Sequence, residues 1–127
     1  MYFRSIRWRM LRGLALAGIV GAMSASAAAA NYACGGPVNG VTVDHNGTVV
    51  AESAGGQHYG YFCQLGTTTN NVSSEACKGV LAVLLTAQST DKSINIWYSD
   101  SYDCAWHASN GSWAWLNTWY FGPSLVN

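Results

Sequence analysis

Val41-Thr42-Val43 alternates apolar with polar, Asn46-Gly47 interrupts, and Thr48-Val49-Val50-Ala51 resumes the strand-like run. Period-two alternation marks a strand, because successive side chains point to opposite faces. Asn-Gly takes up the left-handed backbone that a two-residue turn requires, so the pattern predicts a β-hairpin. Ala54-Gly55-Gly56 is the next break. A third strand follows, with Tyr59, Tyr61, Cys63 and Leu65 on one face and Gly60, Phe62 and Gln64 on the other.

From residue 76 the period changes. Cys77, Val80, Leu81, Leu84 and Leu85 recur at three- and four-residue steps, which predicts a helix over 76–88. Val83 and Ala87 widen its apolar stripe, and Ser73 or Ser74 can cap its first amides, with Glu75 near the positive end. Asp91-Lys92 turns the chain, and Ile94, Ile96 and Tyr98 then alternate with Ser93, Asn95 and Trp97 as a fourth strand. The pattern next predicts a loop over 99–103, a short strand over 104–108, and a hairpin turn at Asn110-Gly111. A last strand over 113–121 carries Trp113, Trp115, Asn117, Trp119 and Phe121 on one face. The expected fold is mainly β with one helix: a small five-stranded OB-like barrel, the helix between strands 3 and 4.

The start of the chain follows a different logic. All four Arg (Arg4, Arg7, Arg9, Arg12) fall in residues 1–12, an uncharged apolar run covers 13–23, and only Ser and Ala fill 24–30. That order is the order of a secretory signal peptide, and the apolar run is too short to span a bilayer. The expected division is a signal peptide over 1–30, cut after Ala30, and one domain over 31–127, exported to the periplasm or beyond. Removing 30 of 127 residues leaves 97 with Lys78 and Lys92 against six acids, a formal charge of −4. So few cations give no phosphate-binding face, which argues against nucleic acid and against an anionic membrane surface as partners of the mature form.

Cys34, Cys63, Cys77 and Cys104 all lie in the expected mature part. An even number in a short exported chain reads as a disulfide framework, and the wide gaps do not suit a metal site, so two bridges and no metal or cofactor are expected. Three pairings are possible, and spacing does not choose among them. A bridge closing ~40 residues would stabilise the fold by roughly 4 kcal/mol in the chain-entropy model.

The run Cys77-Lys78-Gly79-Val80-Leu81-Ala82-Val83-Leu84-Leu85-Thr86-Ala87-Gln88, followed by Lys92, Ile94-Asn95-Ile96 and Cys104, resembles small exported bacterial proteins with a K-x-x-L-x-x-L-L-T-A-Q helix. Some of these are similar to the receptor-binding B subunits of subtilase cytotoxin and pertussis-like toxins. The resemblance covers residues 58–108 and implies an OB-fold, a homo-oligomer and a glycan ligand. No binding residue of those toxins has a matching motif here. The two-cysteine relatives imply a Cys63–Cys104 bridge, leaving Cys34–Cys77, and this is the preferred pairing; the toxin subunits imply Cys63–Cys77 instead.

The titratable inventory offers little for catalysis. Neither G-x-S-x-G nor H-E-x-x-H occurs. His45 and His58 read as exposed turn and strand-end residues, His107 as a ring in the core or at an interface, and Asp100 and Asp103 as carboxylates solvating one loop. The expectation is a protein that binds and does not catalyse. Five Trp remain after residue 30, more than one face of a small barrel usually buries. Trp97, Trp113 and Trp115 are the candidate ligand platform, since aromatic faces stack on sugars, and glycan is the ligand class implied by the resemblance. The alternative is a small inhibitor that docks residues 99–103 into an extracellular hydrolase. Three Asn-x-Ser/Thr triplets, at Asn46, Asn71 and Asn110, read as turns and a helix cap in a bacterial-looking exported chain.

Overall fold

The computed structural model describes residues 30–127, so the leader-like stretch 1–29 lies outside the described residues. Eight elements follow in order: β1 (Ala30–Pro37), β2 (Asn39–Val43), β3 (Thr48–Ala54), β4 (Gln57–Gln64), α1 (Ser74–Ser89), β5 (Ser93–Asp100), α2 (Cys104–Asn110) and β6 (Trp119–Leu125). They make two three-stranded antiparallel sheets, one ordered β2-β3-β4 and the other β1-β5-β6.

The fold is mainly β, as the alternation predicts, but the two sheets do not close into the expected five-stranded barrel, and there are two helices instead of one. The expected hairpin forms between β2 and β3, where the Gly47 amide donates to the Asp44 carbonyl and Gly47 takes φ +82°. The expected helix is α1, and Ser73 is its cap, accepting from the Ala76 amide. Its buried stripe runs Cys77, Val80, Leu84, Ala87, so Leu85 turns outward.

One strand goes unread in the sequence, and three expectations fail for local reasons. β1 carries no clear alternation and pairs over its whole length with β5, Cys34 opposite Ile96. Residues 104–108 form the start of α2, because Asp103 accepts from the Trp106 amide as an N-cap. Asn110-Gly111 is then the end of that helix and not a hairpin turn: the Gly111 amide donates to the His107 carbonyl. Residues 113–116 pair with the outer edge of β4 as a loop, and the last strand begins only at Trp119.

A bulge in β4 also breaks the expected faces of that strand. Val50 opposes Tyr61 while Val49 opposes Cys63, so Phe62 is the extra residue. Phe62 and Cys63 both turn into the core, and Tyr59 and Tyr61 stay on the outer face. The core lies between the inner faces of the two sheets and α1, with Phe62, Leu84, Ile94, Ile96, Tyr98 and Leu116 its largest apolar members. The layers meet closely at the β3–β4 turn, where a Cβ on Gly55 (φ +57°) would lie 2.8 Å from Ile96 Cδ1.

The disulfides join Cys34 to Cys104 and Cys63 to Cys77. The preferred pairing, Cys63–Cys104 with Cys34–Cys77, is therefore incorrect: α2 brings Cys104 against β1, and the bulge aims Cys63 at the first turn of α1. Two bridges and no free cysteine among the described residues fit an oxidising compartment. No helix among the described residues is long and apolar enough to cross a membrane.

Candidate functional site

On the outer face of the β2-β3-β4 sheet, cross-strand register sets Thr42, Val50 and Tyr61 in one row. Gly40, Glu52 and Tyr59 line the same cavity beside that row. Asp44, in the hairpin turn, and Trp113, from the loop after α2, complete its wall; its volume is about 320 Å³. That is near the lower end of the ~300–1,000 Å³ usual for small-ligand sites.

Trp113 is placed by backbone hydrogen bonds and not by a strand of its own. Its amide donates to the Tyr59 carbonyl at 3.0 Å, the Tyr61 amide donates to Ala114 at 2.8 Å, and the Leu116 amide donates to Tyr61 at 3.0 Å. The indole then lies flat on the Tyr59 ring, with centroids 4.2 Å apart and planes 8° from parallel. Both residues have left-handed backbone, φ +52° at Tyr59 and +57° at Trp113, a costly conformation for aromatic side chains. Trp113 is nonetheless 63% exposed.

The polar side of the cavity is acidic. Glu52 passes over Gly40, which has φ +60° and no room for a side chain: a Cβ there would lie 2.6 Å from Glu52 Cβ and 2.8 Å from Oε2. Asp44 Oδ1 accepts from the amides of Asn46 and Thr48 at 2.8 and 2.9 Å. The Thr48 amide, foremost, and the Asn46 amide hold its carboxyl below the ordinary range against a smaller cost of desolvation. The ion pairs among the described residues are Glu75–Lys78 and Asp100–His107, so neither cavity carboxylate is held in an ion pair, although His45, next to Asp44 in the turn, adds a weaker electrostatic pull on it.

The structure disperses the expected aromatic platform. Trp113 lines the cavity, and Trp115 packs edge-on against Tyr61, one of its walls, at 5.7 Å. Trp97 is on the other sheet, edge-on against Phe121 at 5.2 Å. Tyr59, Glu52 and Asp44 were not singled out as ligand-facing from the sequence, because only register and the docked loop bring them together.

No protein-family model, curated protein or solved structure matches this chain.

Two other features compete for attention. A groove of about 910 Å³ runs between α1 and β6, walled by Ala76, Gly79, Val80, Trp119 and Pro123, and no charged side chain among the described residues lines it. The second is a buried polar node. Asp100 accepts from the hydroxyls of Tyr32 and Thr118, from the Tyr102 amide at 2.9 Å, and from His107 Nε2 at 3.0 Å; that nitrogen also lies 2.9 Å from Tyr32 Oη. Asp100 thus differs from expectation, since the carboxylate is buried and binds its own loop rather than solvating it, whereas the His107 ring lies in the core, one of the two places expected for it. Desolvation works to raise the Asp100 carboxyl, but the bonds from Thr118, Tyr32 and Tyr102 and the nearness of His107 outweigh it and hold the group below the ordinary range. The node joins β1, β5, α2 and the loop before β6, and it lines neither cavity. Its arrangement is that of a clamp.

Proposed function

We propose that this protein is an exported carbohydrate-binding domain, without catalytic activity, whose ligand sits in the cavity of Tyr59, Tyr61 and Trp113. The observation that carries this reading is the exposed Trp113 stacked on a half-buried Tyr59, beside two carboxylates held in no ion pair. An aromatic face accepts the C–H face of a sugar ring, and carboxylate oxygens accept from its hydroxyls. The two disulfides and the leader-like first thirty residues support export, and the exposed strip of Tyr120, Phe121 and Leu125 on β6 supports a homo-oligomer. A toxin-B-subunit-like role belongs to the same reading. The inhibitor alternative draws less support, because Asp100 is buried and Asp103 is used as a helix cap.

The test is a glycan array followed by titration of Trp fluorescence with the best binders. The stack predicts saturable quenching that is lost in Trp113→Ala and kept in Trp106→Ala, whose indole lines neither cavity. Equal binding by the two variants, or no binding by the native chain, overturns the reading.

A further inference from the structure

The acidic side of the cavity says which kind of sugar it suits. We propose that the ligand is a hexosamine with a free ammonium group, as in a deacetylated aminopolysaccharide, seated on Trp113 with its nitrogen toward Glu52 and Asp44. This rests on the carbohydrate-binding reading and narrows it.

Charge is the first argument. Glu52 and Asp44 line one small cavity, and among the described residues no Lys, Arg or His lines it with them. Lys78 is bound to Glu75 on α1, and Lys92 reaches Asn127 beyond β6, so neither compensates the pair. His45 and His58 lie on the same sheet and its hairpin turn but do not line the cavity. A sialylated or uronic-acid glycan would bring a third carboxylate against two, whereas an ammonium group supplies the missing counter-charge.

The aromatic wall is the second argument, and it points the same way. The outward face of an indole is the strongest of the side-chain π-faces for a cation, and Trp113 is the most exposed large apolar residue among those described. Tyr59 covers the other face of that indole, which fixes which side the ligand meets. Gly40 supplies the third argument, since the missing side chain there lets Glu52 lie across it where both line the cavity.

Calorimetric titration of the full chain in slightly acidic, low-salt buffer tests the proposal with four probes: a glucosamine tetramer, its fully N-acetylated counterpart, a sialylated oligosaccharide and tetramethylammonium. The glucosamine tetramer is expected to bind about tenfold more tightly than the N-acetylated one. That preference should shrink in Glu52→Gln, which leaves the exposed position uncharged at similar size, and should shrink with added salt. If the N-acetylated or the sialylated sugar binds as well or better and depends on Trp113, the ammonium proposal fails while the carbohydrate reading stands. Tetramethylammonium binding as tightly as the tetramer also overturns the proposal, because the sugar then contributes nothing. Binding by none of the four overturns the proposal.

Discussion

Asp100 and His107 form a buried ion-pair geometry, 3.0 Å from Oδ2 to Nε2, with side chains only 8% and 5% exposed. The ring is also stacked on Tyr98, with centroids 3.9 Å apart. A carboxylate in such a position persists because hydrogen bonds replace the water it has lost, and Asp100 accepts from four partners. These partners come from four parts of the chain: the first strand, the loop before the second helix, that helix itself and the loop before the last strand.

Removing the Asp100 charge should therefore loosen several elements at once. Asp100→Asn is expected to cost about 3–5 kcal/mol, as breaking one side of a buried pair does. Urea denaturation followed by Trp fluorescence measures it, and a cost under about 1 kcal/mol, the size of an exposed pair, would remove the clamp from the account.

The pH dependence has a definite sign at both ends. Asp100 and Asp44 are held below the ordinary carboxylate range in the folded protein, so their stabilisation is present above about pH 4 and is lost as the pH falls through their folded values. Burial holds Tyr32 and Tyr98 above the ordinary phenol range, so stability should fall again above about pH 10, where the unfolded chain ionises first. Thermal melts across pH should show a plateau between these limits, and Asp100→Asn should flatten its acid edge.

The two disulfides should differ in weight. Cys34–Cys104 spans 70 residues and Cys63–Cys77 spans 14. Chain entropy alone gives about 4 kcal/mol for the longer and about 3 for the shorter. Paired Cys→Ser variants, compared by chemical denaturation, should lose more stability at 34/104, a difference widened by the release of α2 from β1.

Gly40→Ala separates the binding site from the fold. The left-handed φ and the contact with Glu52 predict a cost of about 1–2 kcal/mol together with displacement of the Glu52 side chain. Ligand affinity, read by fluorescence titration at a temperature where the variant is still folded, should fall by more than the stability change accounts for.

How much of this was legible in the sequence depends on how local the cause was. The α1 helix and the β2–β3 hairpin are determined within a few residues and both form, though Leu85 leaves the buried stripe and the turn is the wider Asp44–Gly47, left-handed at Gly47 and not at Asn46. α2 has seven residues and one buried side chain, His107, too short for a 3.6-residue period to emerge; only the Asp103 cap could have signalled it. The alternating Trp at 113, 115 and 119 imitate a strand, yet the first two sit in a loop docked on β4. For the candidate site, the surplus of aromatic side chains pointed to Trp113. The alternation puts Tyr59 on the face of Cys63 and the bulge parts them, while Glu52 and Asp44 join Trp113 only through register and docking.

The strand order also dictates a sequence in time. Residues 39–64 hold all three strands of one sheet, each beside its neighbour in the chain, so that sheet can be completed as soon as it is made. The other sheet takes β1 from the start of the domain and β5 and β6 from its end. For a chain emerging from a ribosome or a translocation pore, the earliest strand is the one that must wait, without a partner, until residue 100 has followed it out.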